Sequence, residues 1–212
     1  MTKLEWNIVG ERYYEAGLDR GVLFLSDGMG VPWNGLISVR ESPSGGEPKP
    51  YYLDGIKYLN VAASEEFNAT IDAFSSPSEF GPYEGVGSIG NGLFITQQPR
   101  KSFGLAYRTK LGNDVNASDH SYKLHIVYNA LAEPSQRRNK TLGGSAEPIT
   151  LSWAISTTPV VMGTHKPSGH LVINALEAGE TRMDELEDIL YGTVSSNSRL
   201  PSPSEMISIF GV

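Results

Sequence analysis

Hydrophobic and polar positions alternate along much of the chain. Phe103, Leu105 and Tyr107 are separated by Gly104, Ala106 and Arg108. Tyr122, Leu124, Ile126 and Tyr128 are separated by Lys123, His125, Val127 and Asn129. Ile149, Leu151, Trp153 and Ile155 are separated by Thr150, Ser152, Ala154 and Ser156. A period of two sends successive side chains to opposite faces of a strand. Three antiparallel strands are therefore predicted, each with one core face and one polar or small face. On that reading His125 looks outward. The polar run 112–119 turns the chain between the first two. Short apolar runs at 21–25 and 171–173 read as further strands. Phe67, Ala69, Ile71 and Ala73 alternate with Asn68, Thr70 and Asp72. A helix capped by Ser64 would also gather Phe67, Ile71 and Phe74, but Phe, Thr and Ile fit a pleat better, so a strand from Phe67 is predicted.

Only one stretch carries a convincing helical period. Met183, Leu186, Ile189 and Leu190 fall on one face, with Thr181 as N-cap, Asp184 in the capping-box position and Gly192 as stop. A helix over about 181–191 is predicted, with Glu185, Glu187 and Asp188 on its outer face.

The stretch 33–60 reads as strand, loop, strand. Its middle, 42–50, has two glycines, three prolines and no apolar side chain besides the proline rings. Prolines and glycines there argue against helix and ladder alike. A long hairpin with 42–50 as a mobile arm at its tip is expected. Ser44, Gly45, Gly46, Glu47 and Lys49 are its candidate contacts to a neighbouring subunit. Residues 1–20 are irregular and read as a frayed end or a second arm, with Trp6, Tyr13 and Tyr14 as candidate contacts. The Pro/Gly/Ser-rich run 75–92 reads as a long loop. The tail 195–212 carries Met206, Ile207, Ile209 and Phe210, expected to dock on the core or a neighbour. No internal repeat or boundary divides the chain, so 1–212 is read as one domain.

Composition narrows the function. Among 212 residues there is no cysteine, which rules out disulfides, thiolate zinc and a cysteine nucleophile. A net charge of −7 argues against tight wrapping of nucleic acid. Arg100, Lys101, Arg108 and Lys110 form one basic cluster and Arg137, Arg138 and Lys140 another. Both suit charge pairing between subunits, with Arg137 and Arg138 as candidates. His120, His125, His165 and His170 include no i, i+4 pair, and no metal site is expected. Asn113, Asp114, Asn116 and Asp119 lack the glycine and distal glutamate of an EF-hand and read as a hairpin turn. No nucleophile elbow, phosphate loop or dinucleotide fingerprint occurs. Neither an enzyme nor a cofactor is expected. The N-terminus lacks the apolar run of a signal peptide, and no stretch approaches a membrane span. A protein made in a cytoplasm, with no membrane partner, is expected.

Several runs resemble the major tail (tail tube) proteins of long-tailed, siphovirus-like bacteriophages. These are Val31-Pro32-Trp33-Asn34-Gly35-Leu36, Glu41-Ser42-Pro43-Ser44-Gly45-Gly46-Glu47-Pro48 and Asp54-Gly55-Ile56-Lys57-Tyr58-Leu59-Asn60. Arg100-Lys101-Ser102-Phe103-Gly104-Leu105, Tyr122-Lys123-Leu124-His125-Ile126-Val127-Tyr128 and Ile189-Leu190-Tyr191-Gly192 belong with them. The resemblance implies a mainly β fold, an antiparallel β-sandwich or half-barrel of the tail tube type with one flanking helix. It implies homohexameric rings stacked into a tube that conducts genomic DNA during ejection, in the virion tail, after assembly in the host cytoplasm. Implied partners are further copies of the chain, the tape measure, distal tail and terminator proteins, and double-stranded DNA in transit without specific binding. The immunoglobulin-like C-terminal domain of some relatives is not expected here. An acidic lumen would keep DNA moving, and a charge in a strand-like run is cheapest on an exposed or lumenal face. Glu41, Asp54 and Asp72 are the candidate lumen carboxylates. The alternatives are another ring protein of the tail, distal or terminator, and a carbohydrate-binding β-sandwich. The last would use Trp33, Trp153 and the tyrosines as a platform, although Trp153 falls on the apolar face of its strand.

Overall fold

The alternating segments pair into one open antiparallel sheet. The computed structural model describes residues 3–141 and 147–211. Met1, Thr2 and Val212, the ends of the expected arm and tail, lie outside the described residues. The strands are β1 (Tyr14–Phe24), β2 (Gly30–Pro32), β3 (Leu36–Glu41), β4 (Ser44–Gly45), β5 (Pro48–Leu53), β6 (Ile56–Ala62) and β7 (Glu65–Glu66). They continue with β8 (Asn68–Ala73), β9 (Gly87–Gly90), β10 (Leu93–Ile95), β11 (Phe103–Asn113), β12 (Ala117–Ala132), β13 (Leu151–Thr157) and β14 (His170–Asn174). The helices are α1 (Gly81–Glu84), α2 (Ala175–Ala178), α3 (Glu180–Tyr191) and α4 (Pro203–Phe210).

The main sheet runs β2-β1-β11-β12-β13-β8-β3, with β14 also on β12. The 16 residues of β12 serve two neighbours along one edge. Lys123 to Val127 pair with β14, and Ala130 to Ala132 pair with β13. The sheet does not close, so the fold is the expected β-sandwich or half-barrel. Among the described residues no strand pairs with the outer edge of β3, while the Gly30 amide of β2 donates to the Ser198 carbonyl at 3.1 Å.

Both faces of the central strands are covered. One core gathers Leu105 and Tyr107 of β11, Val127 of β12, Trp153 and Ile155 of β13 and Ile71 of β8. Phe80 plugs it, with ring centroids 4.8 Å from Trp33, 5.2 Å from Trp153 and 5.3 Å from Phe103. Phe80 and Tyr83 come from the stretch expected to be only loop. It instead holds a 3-10 turn at Ser78–Phe80 and then α1. The second core lies on the opposite face. There Ala106, Leu124 and Ile126 meet Leu186 and Leu190 of α3 and Met206 of α4.

The N-terminal end differs from expectation, while the tail docks on the second core as expected, through Met206 and Phe210. Strand β1 begins at Tyr14, so the irregular N-terminal stretch is shorter than 20 residues. Helix α3 starts one residue early, after Gly179, with no side-chain cap, and stops at Gly192 as predicted. Its Glu187 is not on the outer face but half-buried, accepting a hydrogen bond from Arg20 at 2.9 Å. The tail forms α4, whose Ser202 and Glu205 make a full capping box. Arg199 donates to both oxygens of Glu205, at 2.6 and 2.9 Å, and holds that carboxyl down at about 2, helped by the Ser202 amide.

Removing the plug tests this architecture. Phe80→Ala should lower unfolding free energy by roughly 3–5 kcal/mol, because it empties the centre of an aromatic cluster. The exposed neighbour change Glu79→Ala should stay within about 0.5 kcal/mol. Urea titrations of both variants would read this directly, and equal midpoints would refute the role given to Phe80.

Candidate assembly surface

The hairpin expected between 33–41 and 51–60 is not the one that forms. Strand β3 pairs with β8, Glu41 opposite Ala69, and β5 pairs with β6, Leu53 opposite Ile56. Between these lies the short β4–β7 ladder, Ser44 opposite Glu66. Together they make one bent two-stranded ribbon that leaves the sheet at its β3 edge. Its tip is Asp54-Gly55, with φ of 48° and 78°. Positive φ at both turn residues is what a two-residue type I′ hairpin turn requires, and Asp-Gly is its favoured sequence. Residues 42–50 are therefore the lower part of one limb and not the tip.

The prolines sit in the ladder that they were expected to exclude. Pro48 faces Ala62 and Pro50 faces Asn60. A two-stranded ribbon tolerates this because alternate residues turn their N–H outward, where its absence breaks no ladder bond. The bend falls at Gly45 and Gly46, with φ of 84° and 74°. A Cβ at Gly45 would strike the carbonyl oxygen of Ser64.

The ribbon has no core of its own. Tyr51, Tyr52, Leu53, Ile56, Tyr58, Leu59 and Val61 are all exposed, Ile56 to 73% and Tyr58 to 71%. Scattered exposed apolar side chains are ordinary, but a continuous set on both faces of a projecting ribbon marks a contact surface. The small β9–β10 ribbon adds exposed Ile89, Leu93 and Phe94.

At the ribbon's root, Glu41 shares the core face of the sheet with Ala69. Its Oε1 accepts a hydrogen bond from the Tyr107 hydroxyl at 2.8 Å and lies 3.4 Å from His125 Nδ1. His125 is buried, not outward-facing. Its ring stacks on Tyr107 with centroids 4.5 Å apart, and its Nε2 is 3.0 Å from Thr109 Oγ1. Its Nδ1 is 3.1 Å from His170 Nε2, and Phe67 packs on the His170 ring at 4.1 Å. Burial holds both imidazoles below the usual histidine range, His170 at about 4, against the opposing pull of Glu41. Burial, then Glu41, pushes the Tyr107 phenol up. Both faces of β12 are covered, so alternation there does not separate inside from outside.

The three candidate lumen carboxylates do not share a surface. Asp54 is at the ribbon tip. Asp72 lies on the sheet face opposite Glu41, accepting from Ser38 Oγ at 2.9 Å and from Arg40 at 3.3 Å. Around it stand Asn68, Thr70, Ser152, Ala154 and Ser156, which belong to neither core.

The candidate contact residues scatter likewise. Ser44 accepts a hydrogen bond from Asn68 at 2.7 Å, and Glu47 and Lys49 are exposed on the ribbon. Trp6 is 76% exposed, Tyr13 stacks on His120 and Tyr14 opens β1 opposite Gly112. The segment before β1 is tied to the β11–β12 turn, where Gly10 N–H donates to Asp114 and Asn113 donates to the Gly10 carbonyl. Asn113 Oδ1 accepts from the amides of Val115 and Asn116, the expected turn. Arg137 donates to Glu84 at 2.6 Å within the subunit, and the same carboxylate accepts from Trp153 Nε1. Arg138 is exposed. Arg108 is held by Asp19 through two hydrogen bonds and lies over the Tyr122 ring, so the first basic cluster is not an open basic face. Trp33 and Trp153 are buried, which leaves the carbohydrate-platform reading without its main residues.

No family model matches the chain, and no curated protein matches it. Among solved structures, the tube-terminating cap of the anti-feeding prophage is 15% identical, covering 82% of this chain and 96% of its own, with a TM-score of 0.36. A chain of an extracellular contractile injection system, from a sheath–tube complex in the extended state, is 14% identical, covering 81% and 95%, with a TM-score of 0.36. Likenesses at this score carry no weight for what the chain does.

The proline positions make a prediction. Pro48→Ala with Pro50→Ala returns two donors to the outer edge of β5, where another strand could add. Unfolding free energy should change by less than about 0.5 kcal/mol per site. Light scattering should rise at concentrations where the parent stays clear. Unchanged scattering would show that the prolines do not guard this edge.

Proposed function

We propose that the chain is a non-catalytic structural subunit of a phage tail tube, in which six copies close a ring and rings stack into a conduit for DNA. The observation that carries this reading is the projecting ribbon, apolar on both faces and left uncovered by the described residues of its own subunit. Ordering such an element costs roughly 1–2 kcal/mol per residue in backbone entropy. Contacts with the next copy offset that cost by burying its tyrosines and aliphatics. The outer edge of β3, which pairs with no strand among the described residues, supports the same conclusion, since ring closure covers an edge that would otherwise promote uncontrolled addition. The sequence resemblance supplies the tail setting.

In this reading the lumen wall is the polar face of β3, β8 and β13. Its side chains are small, Asp72 is its carboxylate, and Arg40 is engaged by that carboxylate. Such a wall, in a chain of net charge −7, offers little for counterion release and lets duplex DNA pass without holding it. Glu41 and Asp54 serve elsewhere, the first at the root of the ribbon and the second at its tip. The tape measure, distal tail and terminator proteins are the heterologous partners, and the virion tail is the place of action. No cofactor enters this role.

Replacing residues 46–64 by Asn-Gly would close the β4–β7 ladder directly, Gly45 opposite Glu65, with a favoured turn. The shortened chain should unfold cooperatively and remain monomeric in sedimentation, while the parent forms higher assemblies. Assembly of the shortened chain equal to the parent's would overturn the role given to the ribbon.

A further inference from the structure

We propose that Glu41, His125 and His170 form a binding site for a divalent cation of the zinc type, which pins the root of the ribbon to the body. The three side chains come from β3, β12 and β14, strands far apart in sequence. Histidine spacing along the chain therefore gave no sign of the site. They are the one grouping of this kind among the described residues, with ligand atoms all within 4.8 Å of one another.

Two separations are decisive. His125 Nδ1 lies 3.1 Å from His170 Nε2 and 3.4 Å from Glu41 Oε1. Ligands about 2.0–2.1 Å from a tetrahedral ion stand roughly 3.3–3.4 Å from one another. Two imidazoles and one carboxylate are a donor set suited to borderline ions such as zinc, with one position left for water.

The surroundings orient the ligands as metal sites require. With the Nε2 proton of His125 donated to Thr109 Oγ1, its Nδ1 lone pair faces the site. The Tyr107 hydroxyl holds the Glu41 carboxylate. Burial disfavours the protonated form of both imidazoles, and it is the neutral ring that binds a cation. The side chain of His125 is 7% exposed and that of Glu41 39%, so the site is anchored inside and open at the surface. Without an ion, the imidazoles meet edge to edge, planes 13° apart, as an N–H···N hydrogen bond. On binding, the proton between them moves to the far nitrogen of its own ring, and both facing nitrogens become ligands.

The test uses the full chain, stripped with chelator and titrated with zinc chloride in a calorimeter. About one ion per chain should bind saturably, and the melting temperature should rise with zinc. Cobalt(II) should give the intense visible bands of a four-coordinate ion. His170→Ala and Glu41→Ala should each weaken zinc binding at least tenfold, and His165→Ala, at a histidine outside the cluster, should leave it unchanged. His125 is kept because it is buried. Their melting temperatures in chelator report whether the variants stay folded. Absence of saturable binding to the parent chain would overturn the site, as would parent-like binding by the His170→Ala/Glu41→Ala double variant.

Discussion

From Leu124 to Tyr128 strand β12 is buried on both faces, it is paired along both edges, and the rest of the subunit is arranged around it. One face meets the aromatic core plugged by Phe80, and the other meets α3 and α4. Along one edge runs β11, and along the other run β14 and then β13. A strand used this fully leaves little freedom elsewhere. Helices α3 and α4 cover one face, Phe80 and α1 close the other, and β8 and β3 continue the sheet beyond β13. The ribbon leaves from the sheet's outer edge, where none of the described residues covers it.

That placement connects packing to assembly. The body buries two cores and exposes a shorter apolar stretch at β9–β10, while the long ribbon exposes tyrosines and aliphatics on both faces. Isolated two-stranded ribbons are marginal in water, and in the proposed assembly a neighbouring copy covers this one. Gly45 and Gly46 bend it, Asp54-Gly55 closes it, and Pro48 and Pro50 blunt one of its edges. These devices direct contact to the faces of the ribbon and away from unlimited strand addition.

Local signals are legible in the sequence, and pairings between distant segments are not. The alternation at 103–107, 122–128 and 149–155 became β11, β12 and β13, and the helical period at Met183, Leu186 and Leu190 became the buried face of α3. The destination of β3 was illegible because its partner β8 lies across the whole ribbon, and residues 51–60 offered a nearer but wrong match. Asp54-Gly55 was a strong turn signal, outweighed by the proline and glycine content of 42–50. The capping box of Ser202 and Glu205 was also present and went unused. Burial of His125 could not be read from period two, because both faces of its strand are inside. Phe80 and Tyr83 were hidden by the Pro/Gly/Ser run that carries them. Glu41, Asp54 and Asp72 fall on three different surfaces because period two gives the face of a strand and not the strand's place in the sheet.

The central claim is that the uncovered ribbon exists to be covered by further copies of the same chain. Electron micrographs of the purified protein over rising concentration test it most directly. The account predicts hollow tubes of constant diameter, built from stacked rings and growing without fixed length. Single rings that never stack would contradict the tube, and dispersed monomers at every concentration would contradict self-assembly altogether.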